Sequence, residues 1–405
     1  MKTILLFVIC LLSFTTFSQT DSAIQPEEHL DWYQLEINLP SIIQCLDKAD
    51  SFGLDKSAYD FEFINGIHSG SVVLADTQFA MERIMKAVIK YANDVLNGEV
   101  PEFSFNGLKD QYKRVEVSHT SVFSALSDVV NYKNDILSYG ELVSLYINLK
   151  DSVDARLSKK KKGIDRALKT VRWMDRLLKQ NEFTIVVNVP SASLLLYNYQ
   201  KPILESKVIV GKRTTRTPIF ASTLSDITIF PYWMVPKSIA TKELLPEIKK
   251  DVTYLERNNF QVVDGKGRIV DPNSINWSAL SREYFPYTIR QSTGCDNSLG
   301  LIKLNIFDPF NVYLHDTPWK ALFESQNRFF SHGCVRVQKA QELSAILLQE
   351  NRIAVDTLDE SKLYIGKKPK MLAVKNKVPV LILYNIAWFD IEGTVRLYPD
   401  IYSKF

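Results

Sequence analysis

The run SHGCVRV, residues 331–337, brings a thiol, an imidazole and a guanidinium within reach of one another. A cysteine attacks a carbonyl only as its thiolate, and an ordinary thiol pKa of about 8.5 leaves a few per cent of that form at neutral pH. Cys334 therefore needs an imidazole beside it, and the upstream run NVYLHDTP offers His315. That imidazole can take the thiol proton and return it to a leaving amine, so the pair would do acyl transfer. Read with the two-residue period of a strand, His332, Cys334 and Arg336 share one face. Gly333, Val335 and Val337 take the other, although a turn at Gly333 would blur the alternation. In NVYLH the same reading turns Val312 and Leu314 inward, leaves Tyr313 and His315 facing out, and ends the strand at Asp316-Thr317-Pro318.

Acyl transfer also builds an oxyanion. A glycine immediately before the nucleophile lets the chain approach closely, so the amides of Gly333 and Cys334 are the natural donors, each typically worth ~3 kcal/mol of barrier. Arg336 can fork onto a substrate carboxylate. Three plainer readings stay open. Cys334 can be a buried, inert thiol. His315, His332 and Cys334 can bind zinc, although their spacing fits no common ligand set. Arg336 can simply pair with an acid such as Asp316.

Residues 19–180 carry helical periodicity, as in DTQFAMERIMKAVIKYANDVLNG, where Met81, Ile84, Met85, Val88, Ala92 and Val95 form one stripe. Asp76 is the expected N-cap there and Asn97-Gly98 the stop. From residue 181 to 405 the pattern becomes short β-branched or aromatic runs such as FTIVVNV, KVIVG and VPVLILYN, separated by Pro, Gly and Asn. The fold class is thus α+β, a helical N-terminal scaffold followed by a β-rich domain. Residues 241–290, beginning TKELLPEIKKDVTYLERNNF, read as a helical insertion placed like a lid, with Pro246 interrupting it.

The formal charge is +3 over 405 residues, which leaves no electrostatic footprint for nucleic acid. The local run SKKKKG, residues 158–163, fits a linker or an exposed helix face. Residues 1–18 read as a secretory signal, with basic Lys2, an apolar stretch too short to span a bilayer and small residues Thr16 and Ser18 before the cut. No later stretch is apolar enough for a membrane span, so export to the periplasm or cell envelope is expected. Once Cys10 leaves with the signal, Cys45, Cys295 and Cys334 remain. At most one pair can form among them; Cys45 and Cys295 can supply it, leaving Cys334 as a thiol.

HDTPWKALFESQNRFFSHGCVRV resembles the signature of the L,D-transpeptidases with a YkuD-type catalytic domain, in which a histidine precedes Ser/Thr-His-Gly-Cys at this spacing. Blocks such as VIVGKRTTRTPIF, PYWMVPKSIATKELLP and AWFDIEGTVRLYPDIY extend the resemblance over about residues 170–405, to the larger periplasmic members with a capping insertion. The resemblance implies a mixed β-sandwich, Cys334 as nucleophile, His315 as general base and acid, and the backbone of Asp316 positioning His315. It implies an oxyanion hole at Gly333 and Cys334, with Ser331, His332, Arg336, Tyr313 and Trp233 around the substrate. The implied substrates are peptidoglycan stem peptides, with no metal or organic cofactor. The implied reaction passes a tetrapeptide acyl group through a thioester to a side-chain amine of a second stem. An L,D-carboxypeptidase using the same thioester, or a wall-binding protein without activity, are the alternatives. The Gly-rich DGxxGPxT-type stretch of a peptidoglycan-binding module is missing from residues 100–180. The helical region is then a scaffold or a recruiter of wall-assembly proteins.

Overall fold

The computed structural model describes residues 32–99, 113–294, 296–307, 310–359, 362, 364 and 366–405. The expected signal, with Cys10, and Cys295 lie outside the described residues. The N-terminal part is helical: α1 (Trp32–Asp47), α2 (Phe61–His68), α3 (Thr77–Leu96), α4 (Val122–Val130), α5 (Tyr139–Lys150) and α6 (Ala155–Gln180). Helix α3 starts as its sequence demands, with the Asp76 carboxylate accepting from the Phe79 amide at 3.1 Å, which satisfies one orphan donor of the first turn. Its stripe of Ile84, Met85, Val88, Ala92 and Val95 is buried against α1, α2 and α4, where Cys45 also sits as a free, buried thiol. The bridge from Cys45 is therefore not formed. Helix α6 absorbs the lysine run as a helix face, and one of its lysines, Lys159, pairs with the buried Asp400 carboxylate at 2.8 Å.

The strands of the β-rich part that form the main sheet are β1 (Phe183–Asn188), β2 (Ser193–Asn198), β3 (Lys201–Gly211), β4 (Phe220–Ile229), β9 (Ile302–Ile306), β10 (Leu314–His315), β11 (Phe329–Ser331), β12 (Val335–Val337) and β13 (Lys370–Leu383). Their order is β11-β3-β12-β10-β9-β4-β13-β1-β2, and β2 pairs again with β3, so the mixed sheet closes on itself. Along β1, Ile185 and Val187 face the enclosed core while Val186 faces out. Both faces are covered, which is why these strands read as nearly continuous apolar runs rather than alternating ones.

Inside the sheet lies one core, which also takes the helix Ala340–Leu348 through Leu343 and Leu347. Outside, Val186, Leu195, Tyr197 and Leu381 pack against Ile164, Trp173, Met174 and Leu177 of α6 and against the hairpin of β14 (Ala387–Phe389) and β15 (Val395–Leu397). Helices α5 and α6 thus share a core with the sheet, whereas α1–α4 form their own. The change from helix to strand near residue 181 is real but is not a break in packing. A buried guanidinium spans the two units: Arg172 of α6 donates to the carbonyl of Asp94 at 2.9 Å and to that of Phe52 at 2.7 Å.

The remaining strands, β5 (Trp233–Met234), β6 (Phe260–Val263), β7 (Ile269–Val270) and β8 (Thr288–Gln291), form a separate antiparallel sheet in the order β5-β8-β6-β7. It packs with the helical segments Lys237–Ile239, Ala240–Leu244, Leu245–Lys250 and Thr253–Arg257 around Leu244, Ile248, Leu255, Val262, Trp277 and Ile289. The insertion is therefore mixed α/β rather than purely helical, and it begins at β5, ahead of residue 241. Pro246 follows the π-helical turn Ala240–Leu244 within one helical run over 237–250, so the regular α-helical bonding is broken there without ending the helix. Among the described residues no helix is long and apolar enough to cross a membrane.

Candidate active site

Strand β10 lies between β9 and β12 and pairs antiparallel with the first and parallel with the second. Leu314 sits opposite Leu304 and Val335, all fully buried, so the same pairing brings His315 level with Lys303 on one side and Arg336 on the other. The apolar residues thereby fix where the charged ones go. The face of His315 opens on a cleft of about 990 Å³ lined by Cys334, Tyr313, Trp233, Arg336 and Lys303 among others. Val312 and Leu314 are in the core as their alternation required. His315 faces the cleft yet is only 5% exposed.

The His315 ring has its Nδ1 2.5 Å from the carbonyl oxygen of Asp316. A carbonyl can only accept, so Nδ1 carries the hydrogen and, in the neutral ring, Nε2 is the bare acceptor. Burial, then the nearby Arg336 and Lys303 cations, hold this imidazole down at about 3, against the partial support of the Asp316 carbonyl. Neutral imidazole is thus the resting form, and it is a base. The Asp316 carboxylate points elsewhere. It accepts from the Leu301 amide at 3.0 Å and from Lys320 Nζ at 2.7 Å, so Arg336 does not pair with it. Burial raises the Asp316 carboxyl above its usual range, with Lys320 pulling back. Gly300 makes room for it: at φ +61° a Cβ there would lie 2.3 Å from Asp316 Oδ2.

Cys334 is half-buried, is not in a disulfide, and its Sγ lies 3.8 Å from the Asn311 carbonyl oxygen. It sits on the turn between β11 and β12, not within a strand, as the glycine foretold. That turn is built by Ser331, whose hydroxyl donates to the Cys334 carbonyl at 2.6 Å and accepts from the Gly333 amide at 3.1 Å. Ser331 is 2% exposed and braces the loop at the edge of the cleft. The Gly333 amide is likewise committed to Ser331 and does not serve as an oxyanion donor in this state. Gly333 is needed for its φ of +121°, which side chains other than hydrogen rarely tolerate.

Arg336 faces the cleft with its guanidinium 5.2 Å from the Trp319 ring centroid, and among the described residues no carboxylate pairs with it. Its pKa is lowered by burial and raised back by Cys334. Tyr313 stacks edge-on against His315, centroids 5.7 Å apart, and its phenol, pushed up chiefly by burial, hydrogen-bonds with Cys334 and Trp233. His332 lines the same cleft and also meets Glu243 of the insertion, Nε2 to Oε1 2.9 Å. Glu243 thus ties the insertion to the 331–334 turn, and Trp233 ties it to Tyr313 next to β10. Among the described residues no group of three His, Cys, Asp or Glu could hold a metal. Lys303 is a cleft residue that the motif reading missed. The alternation of IKLNI, with Ile302 and Leu304 in the core, would have put it on the face of His315.

Residues 182–368 match the family model of the YkuD L,D-transpeptidase catalytic domain. The match covers less than half of the chain. It starts at β1, contains Cys334 and His315 together with the insertion, and stops short of β13, the strand that joins β4 to β1 in the closed sheet. Outside the family model, a curated Haemophilus influenzae protein named "Putative L,D-transpeptidase" is 39% identical over 219 residues, covering 54% of this chain and 44% of that protein's length. The chain therefore matches less than half of this relative. Solved structures similar to it include an L,D-transpeptidase from Mycobacterium smegmatis, 13% identical, covering 50% of this chain and 58% of that one, TM-score 0.24. Another, from Mycobacterium tuberculosis, is 12% identical, covers 50% and 57%, and has a TM-score of 0.21. At those scores the structural overlaps carry no weight.

Proposed function

We propose that this protein is an exported, cysteine-dependent L,D-transpeptidase acting on peptidoglycan stem peptides. The observation that supports this most strongly is that Cys334 and a neutral, buried His315 line one cleft together with residues of the insertion. In the first half-reaction the Cys334 sulfur attacks the carbonyl of the L,D-peptide bond at the end of a tetrapeptide stem. The C–S bond forms, the C–N bond breaks, and the thiol proton passes through His315 Nε2 to the leaving D-amino acid. In the second, a side-chain amine of another stem attacks the thioester, gives its proton to Nε2, and restores the thiol.

The amides of the 331–334 turn receive the developing oxyanion. Gly333 can join only by leaving the Ser331 hydroxyl, so the Cys334 amide bears the first share. Arg336 and Tyr313 then line the substrate side of the sulfur, and Trp233 with the insertion limits access of water, which favours amine over water as the acceptor. Incubation with labelled disaccharide tetrapeptide tests the reading. Cross-linked dimer and a Cys334 thioester in the intact mass are expected, both absent in Cys334→Ala. Tripeptide without dimer would make the protein a carboxypeptidase instead, and no acyl adduct on folded protein would remove the enzymatic reading altogether. Export is tested by sequencing the N-terminus of the mature protein, expected at Gln19.

A further inference from the structure

Lys303 is half-buried in the cleft beside Cys334, and its position is set by register rather than by chance. It stands level with His315 across the β9–β10 pair. Its Nζ lies 4.4 Å from the centroid of the Tyr313 ring, whose phenol hydrogen-bonds with Cys334. Among the described residues no carboxylate lies within ion-pair distance of Lys303; Asp226 on β4, which accepts from Asn305 and Ser225, acts on it only at longer range. A part-buried ammonium is costly unless an anion answers it, and the cleft's own anion is the sulfur once its proton has left.

We infer that Lys303 is a positioning residue that, with Arg336, sets the ionisation of Cys334. This rests on the proposed function only in taking Cys334 as the nucleophile. The sign follows from charge alone: a cation beside a thiol and an imidazole favours thiolate and disfavours imidazolium. The two jobs usually given to one thiolate–imidazolium pair are then divided. Lys303 and Arg336 favour the negative sulfur as its proton leaves, while His315, neutral at rest, takes that proton and passes it to the leaving amine. Lys303 itself neither gives nor takes one. Burial lowers the Lys303 pKa, and Cys334, followed by Asp226, pulls it back up. The other polar groups around the sulfur are Tyr313 and His315 from the β10 side, Arg336 from β12, and the His332–Glu243 pair from the insertion side.

The test is the pH dependence of Cys334 alkylation by iodoacetamide in the full chain, followed by peptide mass so that Cys45 is counted separately. Native protein is compared with Lys303→Met, Lys303→Gln and Lys303→Arg, each checked for cooperative unfolding. Both neutral variants are expected to raise the apparent thiol pKa by about one unit, slowing alkylation about tenfold below it; Lys303→Arg should restore most of the rate. Neutral variants that titrate like native protein would overturn the inference, as would a folded Lys303→Arg that behaves like Lys303→Met. Because alkylation needs no peptidoglycan, a native protein that fails to turn over tetrapeptide would sink the proposed function and leave this result standing.

Discussion

His315 should make the protein acid-labile in a calculable way. In the unfolded chain its imidazole has the ordinary value of about 6.5, whereas burial beside Arg336 and Lys303 holds it at about 3 in the native state. Between those values the unfolded chain binds a proton that the native protein refuses. Stability therefore rises with pH through this window: the contribution is complete above about pH 7 and is lost as pH falls from 6.5 towards 3. At ~1.36 kcal/mol per unit the loss is about 2 kcal/mol at pH 5 and about 5 kcal/mol in full. No allowance for solvent screening is needed because the ring is 5% exposed. The perturbation is His315→Asn, whose amide can still donate to the Asp316 carbonyl but does not titrate. Urea unfolding at pH 7 and pH 5 gives the change for native and variant protein, and the difference between them cancels every other titration. Native protein should lose about 2 kcal/mol more than the variant. Equal losses would show that the imidazole is protonated as readily in the fold as out of it, and the account of a neutral base would fail.

Three further outcomes follow from the same contacts. Ser331→Ala leaves the Gly333 amide buried without its acceptor, so stability should fall by ~1–3 kcal/mol in urea, with a larger loss of acylation rate than of substrate affinity. Gly300→Ala forces a methyl onto the Asp316 carboxylate at a left-handed φ, and should cost ~1–3 kcal/mol and slow acylation by displacing the carbonyl that holds His315. Glu243→Gln weakens an exposed contact with His332, so stability should change by less than ~1 kcal/mol. Hydrogen exchange across residues 237–250 should nevertheless quicken, and unchanged exchange would mean that this contact does not hold the insertion down.

What could be read from the sequence was whatever is decided locally. The cap at Asp76, the stripe of α3 and the inward Val312 and Leu314 depend on neighbours a few residues away, and they stand where their pattern put them. The Cys334 and His315 pair was readable for a related reason: the chain between them is short enough to return to an adjacent strand. The role of Ser331 was not, because a hydroxyl next to a reactive motif looks the same whether it turns to a ligand or to its own loop. Its bonds to the Gly333 amide and the Cys334 carbonyl exist only once the turn brings those groups close. The insertion was misread as helical since its strands are short, two to four residues each, and their pairing joins segments well separated in sequence.

Lys303 shows the deeper limit, and also why the sheet's mixed pairing matters to the chemistry. A residue on one strand meets a partner on the next at a level set by register, and register here is fixed by Leu304, Leu314 and Val335, all fully buried. A slip of one residue between β10 and β12 would put a valine beside His315 and drive Arg336 into the core, which the burial of its charge forbids. The apolar residues of three strands therefore act as the ruler that sets two cations at equal height on either side of one imidazole. A sequence motif records the imidazole and the sulfur. The charge that decides which of them carries the proton comes from the strands between which they are held.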